Sequence, residues 1–172
     1  GTLSEHITST DESWLKELTI TGPLNSTDFK LLRSMAGNNN LGEPTDGKLV
    51  KLDLSGATIV TGGENYLNEL AIEKNDELGK QVFKGCNLQE IVLPKGLLGI
   101  DERASEGCTA LTDVISYIQK PFDFDRSAFC LTQDGDFTSA KLTIPYNTKA
   151  AYQQAEGWKY FTTITEMSAE ET

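Results

Sequence analysis

Three cysteines, one histidine and two acidic clusters are the residues whose chemistry could extend beyond folding. Cys86, Cys108 and Cys130 are spaced at equal intervals of 22 residues. Zinc sites bring their ligands close in sequence and usually need four of them. Here the cysteines are far apart, and the only histidine is His6. A thiol redox pair would read C-x-x-C, which is absent. An odd number of cysteines leaves at least one unpaired within the chain. The acidic stretches Asp123–Ser127 ("DFDRS") and Asp134–Asp136 ("DGD") lack the alternating ligands and distal glutamate of a calcium loop. They read as ordinary turns. No nucleophile elbow, zinc-binding helix, phosphate loop or dinucleotide loop is present. The residues point to a protein that is not an enzyme, with no catalytic residue, no metal and no cofactor.

The equal spacing is better read as a structural period, because repeats of about 20–30 residues signal stacked units. The neighbours of the cysteines repeat as well. Leu88 matches Leu111, Ile91 matches Val114, and Leu93 matches Ser116, so the strand register advances by 23 residues where the cysteines advance by 22. Cys130 directly follows Ala128-Phe129, whereas Cys86 and Cys108 follow glycine, so Cys130 is a near miss in phase.

The elements that would position these residues follow from apolar alternation with polar flanks. Strands are predicted at Glu17–Thr21, Lys51–Ser55, Glu90–Pro94, Asp113–Tyr117 and Lys141–Pro145, with a last short one at Phe161–Thr165. Spacings of 23 to 39 residues between the starts of the first five are too long for hairpins and fit parallel strands joined by crossovers. A helix over Asp28–Ala36, capped by Ser26 or Thr27, buries Phe29, Leu32, Met35 and Ala36 and stops at Gly37. A second helix, capped by Asn147 or Thr148, runs through Ala155 and stops at Gly157, beside Trp158, Tyr160 and Phe161. That group would cover one end of the stack. Leu3, Ile7, Trp14 and Leu15 in the segment Thr2–Leu15 would cover the other.

At 172 residues, 38% hydrophobic and 24% charged, the chain has the composition of one globular domain. Residues 1–48 are expected to form an N-terminal cap and first strand, 49–145 the repeats, and 146–172 a C-terminal cap. No apolar run is long enough to cross a membrane. A formal charge of −11 with no basic cluster argues against nucleic acid as a partner. The first residues lack the basic and apolar regions of a secretory leader, so the chain is expected either to have none or to be a processed product.

The stretches "VFKGCNLQEIVLPKGLLGIDERAS" from Val82 and "EGCTALTDVISY" from Glu106 resemble BspA-like leucine-rich repeats. The resemblance extends to Leu18–Gly37 and Gly47–Val60 near the start and to Leu142–Met167 near the end, which look like the flanks of surface proteins of Bacteroides-type bacteria. It implies an α/β fold, a right-handed leucine-rich-repeat solenoid with a parallel sheet, irregular crossovers and helical caps. It also implies export to the cell surface or periplasm. The chain departs from the pattern at Ser105, at Ser116, and in a long connection after Tyr117. A serine facing inward at 116 needs a partner for its hydroxyl. In a bacterial protein, Asn25-Ser26-Thr27 is a helix start rather than a glycosylation site.

Alternation places Asp53, Glu90, Val92, Asp113, Ile115, Tyr117 and Thr143 on the outward face of the strands. Val92, Ile115 and Tyr117 would form a small exposed patch that could anchor a partner, although such residues favour strands anywhere. The expected function is a protein-interaction module, with adhesion to host or matrix proteins as the implied role. A glycan-binding module using Tyr117, or a structural spacer without a ligand, are the alternatives. The ligand and the oligomeric state are not specified by the sequence.

Overall fold

A computed structural model describes residues 1–172. In chain order the elements are α1 (Ser9–Trp14), β1 (Glu17–Leu24), α2 (Ser26–Met35), β2 (Lys51–Ile59), β3 (Glu77–Leu78), β4 (Glu90–Val92), β5 (Gly99–Ile100), β6 (Asp113–Ile115), β7 (Lys141–Ile144), α3 (Lys149–Gln154) and β8 (Ile164–Glu166). Three single 3₁₀ turns lie at Leu3–Glu5, Arg126–Phe129 and Trp158–Tyr160. Six strands form one open parallel sheet in the order β1-β2-β4-β6-β7-β8. Strands β3 and β5 pair in a small parallel sheet of their own. The protein is thus α/β with a mainly parallel sheet and few helices. No helix is long and apolar enough to cross a membrane.

The first five predicted strands form, and the sixth lies at Ile164–Glu166 rather than Phe161–Thr165. Ile91 pairs with Val114 and Glu90 with Asp113, the 23-residue step expected from the sequence. The first pair of connecting turns takes a shorter step and the next pair does not. The Phe83 N–H donates to the Ala104 carbonyl (2.7 Å) and the Gly85 N–H to the Glu106 carbonyl (2.9 Å). The Gly107 N–H in turn donates to the Cys130 carbonyl (3.1 Å). By these bonds Cys130 occupies the position of Glu106 one turn earlier, two residues out of phase with Cys86 and Cys108. All three thiols are free and buried.

Between the sheet and these turns lies the core. Leu52, Leu54, Ile91, Leu93, Val114, Leu142 and Ile144 enter it from the large sheet, Leu88 and Leu111 from just before β4 and β6, and Val82, Phe83, Ala104 and Phe129 from the turns. Cys86 and Cys108 fill places in the same cluster as small apolar groups, and Cys130 lies outside it. Ser116 is fully buried. Its hydroxyl shares a 2.6 Å hydrogen bond with the Tyr152 hydroxyl and accepts from the Ile118 N–H at 3.2 Å. The Tyr152 hydroxyl also donates to the Ile118 carbonyl at 2.7 Å. The need created at Ser116 is therefore met by a tyrosine from α3, and no water is required.

Two helix starts differ from expectation. Asn25, rather than Ser26 or Thr27, caps α2, and Asp28 completes the capping box. The two hydroxyls are used elsewhere, because Ser26 accepts from the Ile72 N–H (2.7 Å) and Thr27 from the Glu64 N–H (2.8 Å). They fasten the Val60–Ile72 crossover to the helix. Before α3, Thr148 donates its hydroxyl to the Pro145 carbonyl (2.7 Å), and Glu166 accepts from the Lys149 N–H instead (2.8 Å).

The two ends of the sheet are covered unequally. At the C-terminal end Trp158 meets Phe124 and Tyr152 edge-on at centroid distances of 4.8 and 5.0 Å, and its indole N–H donates to the Phe122 carbonyl at 2.6 Å. Phe161 adds an edge contact with Phe137 at 4.9 Å. At the N-terminal end Ile7 is buried, and Leu3 and Leu15 pack partly against the core. Trp14 does not join them. It is 75% exposed, because α1 has only six residues and ends at Trp14.

Candidate interaction face

The outward side of the large sheet is built by strand register. Glu17, Lys51, Glu90, Asp113 and Lys141 form one row across β1, β2, β4, β6 and β7. Two residues along, Thr19, Asp53, Val92, Ile115 and Thr143 form the next row, with Thr165 of β8 beyond. Period 2 in each strand and parallel pairing between strands make this alignment obligatory. The structure therefore brings together six of the seven expected face residues, Asp53, Val92, Ile115 and Thr143 in one row and Glu90 and Asp113 in its neighbour. Tyr117 lies just beyond the end of β6.

The charged row is partly self-compensating. Glu17 and Lys51 are 3.2 Å apart, and Asp113 and Lys141 are 3.5 Å apart. The hydrogen bond from Lys51 to Glu17, helped by the charges of Glu17, Glu90 and Asp113, raises the lysine pKa. Glu90 stands between Lys51 and Asp113 in the row and has no ion pair of its own. In the second row one Asp53 oxygen accepts from the Ser55 N–H at 2.8 Å. A shallow depression of about 200 Å³ at the β1-β2-β4 end is lined by Glu17, Thr19, Lys51, Asp53, Glu90 and Val92.

One expectation is corrected here. Val92 is not an exposed member of a patch, being only 7% exposed. It lies outside the main core cluster and sits between its ladder partners Asp53 and Ile115. Flanking side chains on adjacent strands, spaced about 4.8 Å apart, shield a short β-branched residue on the outer face. The accessible apolar surface is then Ile115 and Tyr117, both half-buried. Tyr117 is itself engaged, since the Lys95 ammonium lies 4.9 Å from the centroid of its ring. Lys95 has no periodic or motif signal that would connect it with Tyr117, and only the fold brings the two together.

The sequence also carried a signal that points away from this face. Arg33 is four residues after Phe29 and so lies on the apolar side of α2. It is fully buried and bonded to the Gln81–Val82 turn, away from the row of face residues. Chemically, the outward face offers a flat, mixed-charge surface with an aliphatic centre. Its carboxylates are spread along strands rather than gathered, and no group of three or more His, Cys, Asp or Glu residues is placed to hold a metal. Compared with known proteins, the chain matches no family model and no curated protein.

Proposed function

We propose that the chain is a right-handed leucine-rich-repeat solenoid of the BspA-like kind, acting without catalysis as an exported protein-interaction module at a cell surface or in a periplasm. Adhesion to a host or matrix protein is the role it would serve. The observation that carries this reading is the in-register row Asp53, Val92, Ile115 and Thr143 across four adjacent parallel strands. Such a row offers a partner a continuous surface, with Ile115 at its centre and charges of both signs in the next row. Sequential parallel strand order and the hydrogen-bonded return turns support the repeat reading. Protein is favoured over glycan because Lys95 covers one face of Tyr117, the ring a sugar would stack on.

The test is a binding screen against extracellular-matrix proteins and glycan arrays, repeated with Ile115→Glu combined with Thr143→Arg. Both positions face outward and are half-exposed, so the variant should keep its fold, as a circular-dichroism melt would verify. Binding to a matrix protein that falls at least tenfold in the variant supports the reading. Matrix binding indifferent to the variant removes the face from the proposal. Binding to glycans alone selects the sugar-binding alternative, and binding to nothing selects the spacer.

A further inference from the structure

A second site, which shares no residue with the sheet face, is marked by a buried charge without a counter-ion. Arg33, in the last turn of α2, is 0% exposed. Its guanidinium donates to the carbonyls of Val82 (3.0 Å), Gln81 (3.4 Å) and Asn39 (3.2 and 3.4 Å) and to the Asn38 side-chain oxygen. Every acceptor is neutral. The donors are satisfied, but the charge is not cancelled. The titratable groups that face it are Cys86, Cys108 and Tyr66, and burial raises the pKa of each, so all three are uncharged at neutral pH. Carbonyls at the C-terminus of α2 offset part of the charge. A full carboxylate, the usual partner of a buried arginine, is missing.

Arg33 borders a cavity of about 300 Å³. Its other polar side chains are Asn38, Asn68, Gln81 and Lys84, and no carboxylate lines it. That lining is unusual in a chain with 26 acidic and 15 basic residues. Asn68 is held in place by the bond from its N–H to the Asn40 carbonyl (2.7 Å). Lys84, with its side chain 42% exposed, is 3.4 Å from Glu106, which also has Arg103 at 3.4 Å. Lys84 can therefore turn toward a ligand while Glu106 keeps a cation.

We infer that this cavity binds a compact oxyanion, contacted by Lys84 and the amides of Asn68 and Gln81 and held by the field of the buried Arg33. Low-dielectric walls focus such a field, and an anion entering the cavity would supply the missing countercharge. The shared chemistry is a sulfate, phosphate or carboxylate group, either as a free ion or carried on an acidic sugar.

The experiment follows the thermal unfolding midpoint of the full chain with increasing sodium sulfate, sodium phosphate or sodium glucuronate, each held at one ionic strength with sodium chloride. The expected result is a saturable rise with at least one of the three. Inorganic ions acting alone would identify a free-anion site, and glucuronate would identify a sugar acid. Arg33 itself is too buried for a clean substitution. Asn68→Asp puts a negative charge into the cavity at an exposed position whose φ of 52° aspartate tolerates. It should lower the apparent affinity about tenfold or more by like-charge repulsion, and Lys84→Gln should lower it too. Lys149→Gln, at the other end of the chain, should leave it unchanged. No saturable rise beyond the chloride control, or a rise that Asn68→Asp leaves intact, overturns the inference.

Discussion

Cys86 and Cys108 are protonated at neutral pH because burial penalises the thiolate. The Cys86 thiol is pushed up to about 11, with Arg33 opposing the shift only in part, and Cys108 is driven higher still. A thiol whose folded pKa is raised contributes stability that is fully present below its unfolded pKa and is lost as pH rises through the folded one. Between about pH 8.5, the ordinary thiol value, and about 11, the unfolded chain releases protons that the folded chain holds. Urea-unfolding midpoints should therefore fall from pH 8 to pH 10.5, with a shallower fall in Cys86→Ala once its lower starting stability is allowed for. An aromatic disulfide reagent at pH 8 should label no cysteine of the native protein and all three after denaturation. Labelling of native Cys86 would contradict its burial. The shared place of Cys86 and Cys108 was legible in the sequence because each follows a glycine, Gly85 or Gly107, that takes the same positive φ. The charge state of Arg33 was not, since its lack of a carboxylate partner depends on what three separate segments bring around it.

Elements reproduced their sequence signals where the signal was periodic. Each strand of the large sheet has at least one inward apolar residue, although in β4 and β6 its outward neighbours include Val92 and Ile115, and each forms. Strands β3 and β5 have two residues each, too few for any alternation, and they exist because the turns on either side are already hydrogen-bonded. Asn25, Ser26 and Thr27 are three capping types in a row, and only the crossover that takes Ser26 and Thr27 leaves Asn25 the role. Asp28 gains from this arrangement. Its buried carboxylate accepts from the N–H groups of Leu3 and Asn25, each at 2.9 Å, and meets the Gly1 amine at 2.6 Å. Asp28→Ala should cost about 2–4 kcal/mol, through a lost cap and unsatisfied donors, read as a lower denaturation midpoint. Gly157 is a sharper test of packing. Its φ is +86°, and a Cβ there would stand 2.5 Å from the Phe124 ring. Gly157→Ala should destabilise by about 2–3 kcal/mol, whereas Gly96→Ala, with open space around it, should stay within about 0.5 kcal/mol.

For the whole molecule the acidic excess sets a sign. Exposed pairs such as Lys30–Glu64 and Lys159–Glu156 contribute little, because water and salt screen them. Repulsion among the remaining charges of a chain at −11 acts on every surface group and is relieved by screening. The thermal midpoint should rise as sodium chloride goes from 20 to 200 mM, and a fall would mean that the ion pairs outweigh the repulsion. The outward face was legible to the level of which residues share a row, because register follows from alternation. It was not legible at Val92, whose shielding depends on the side chains of two neighbouring strands.

Every strand of the large sheet touches only its neighbours in chain order. A chain emerging from a ribosome would find each new strand's partner already in place, so assembly can run in one direction without waiting for a distant segment. The final lock is the aromatic group around Trp158, which closes on Phe124 and Tyr152. Arrested chains that end before Trp158 should yield protease-resistant fragments covering β1 to β4, with the last strands resisting only once Phe161 has emerged.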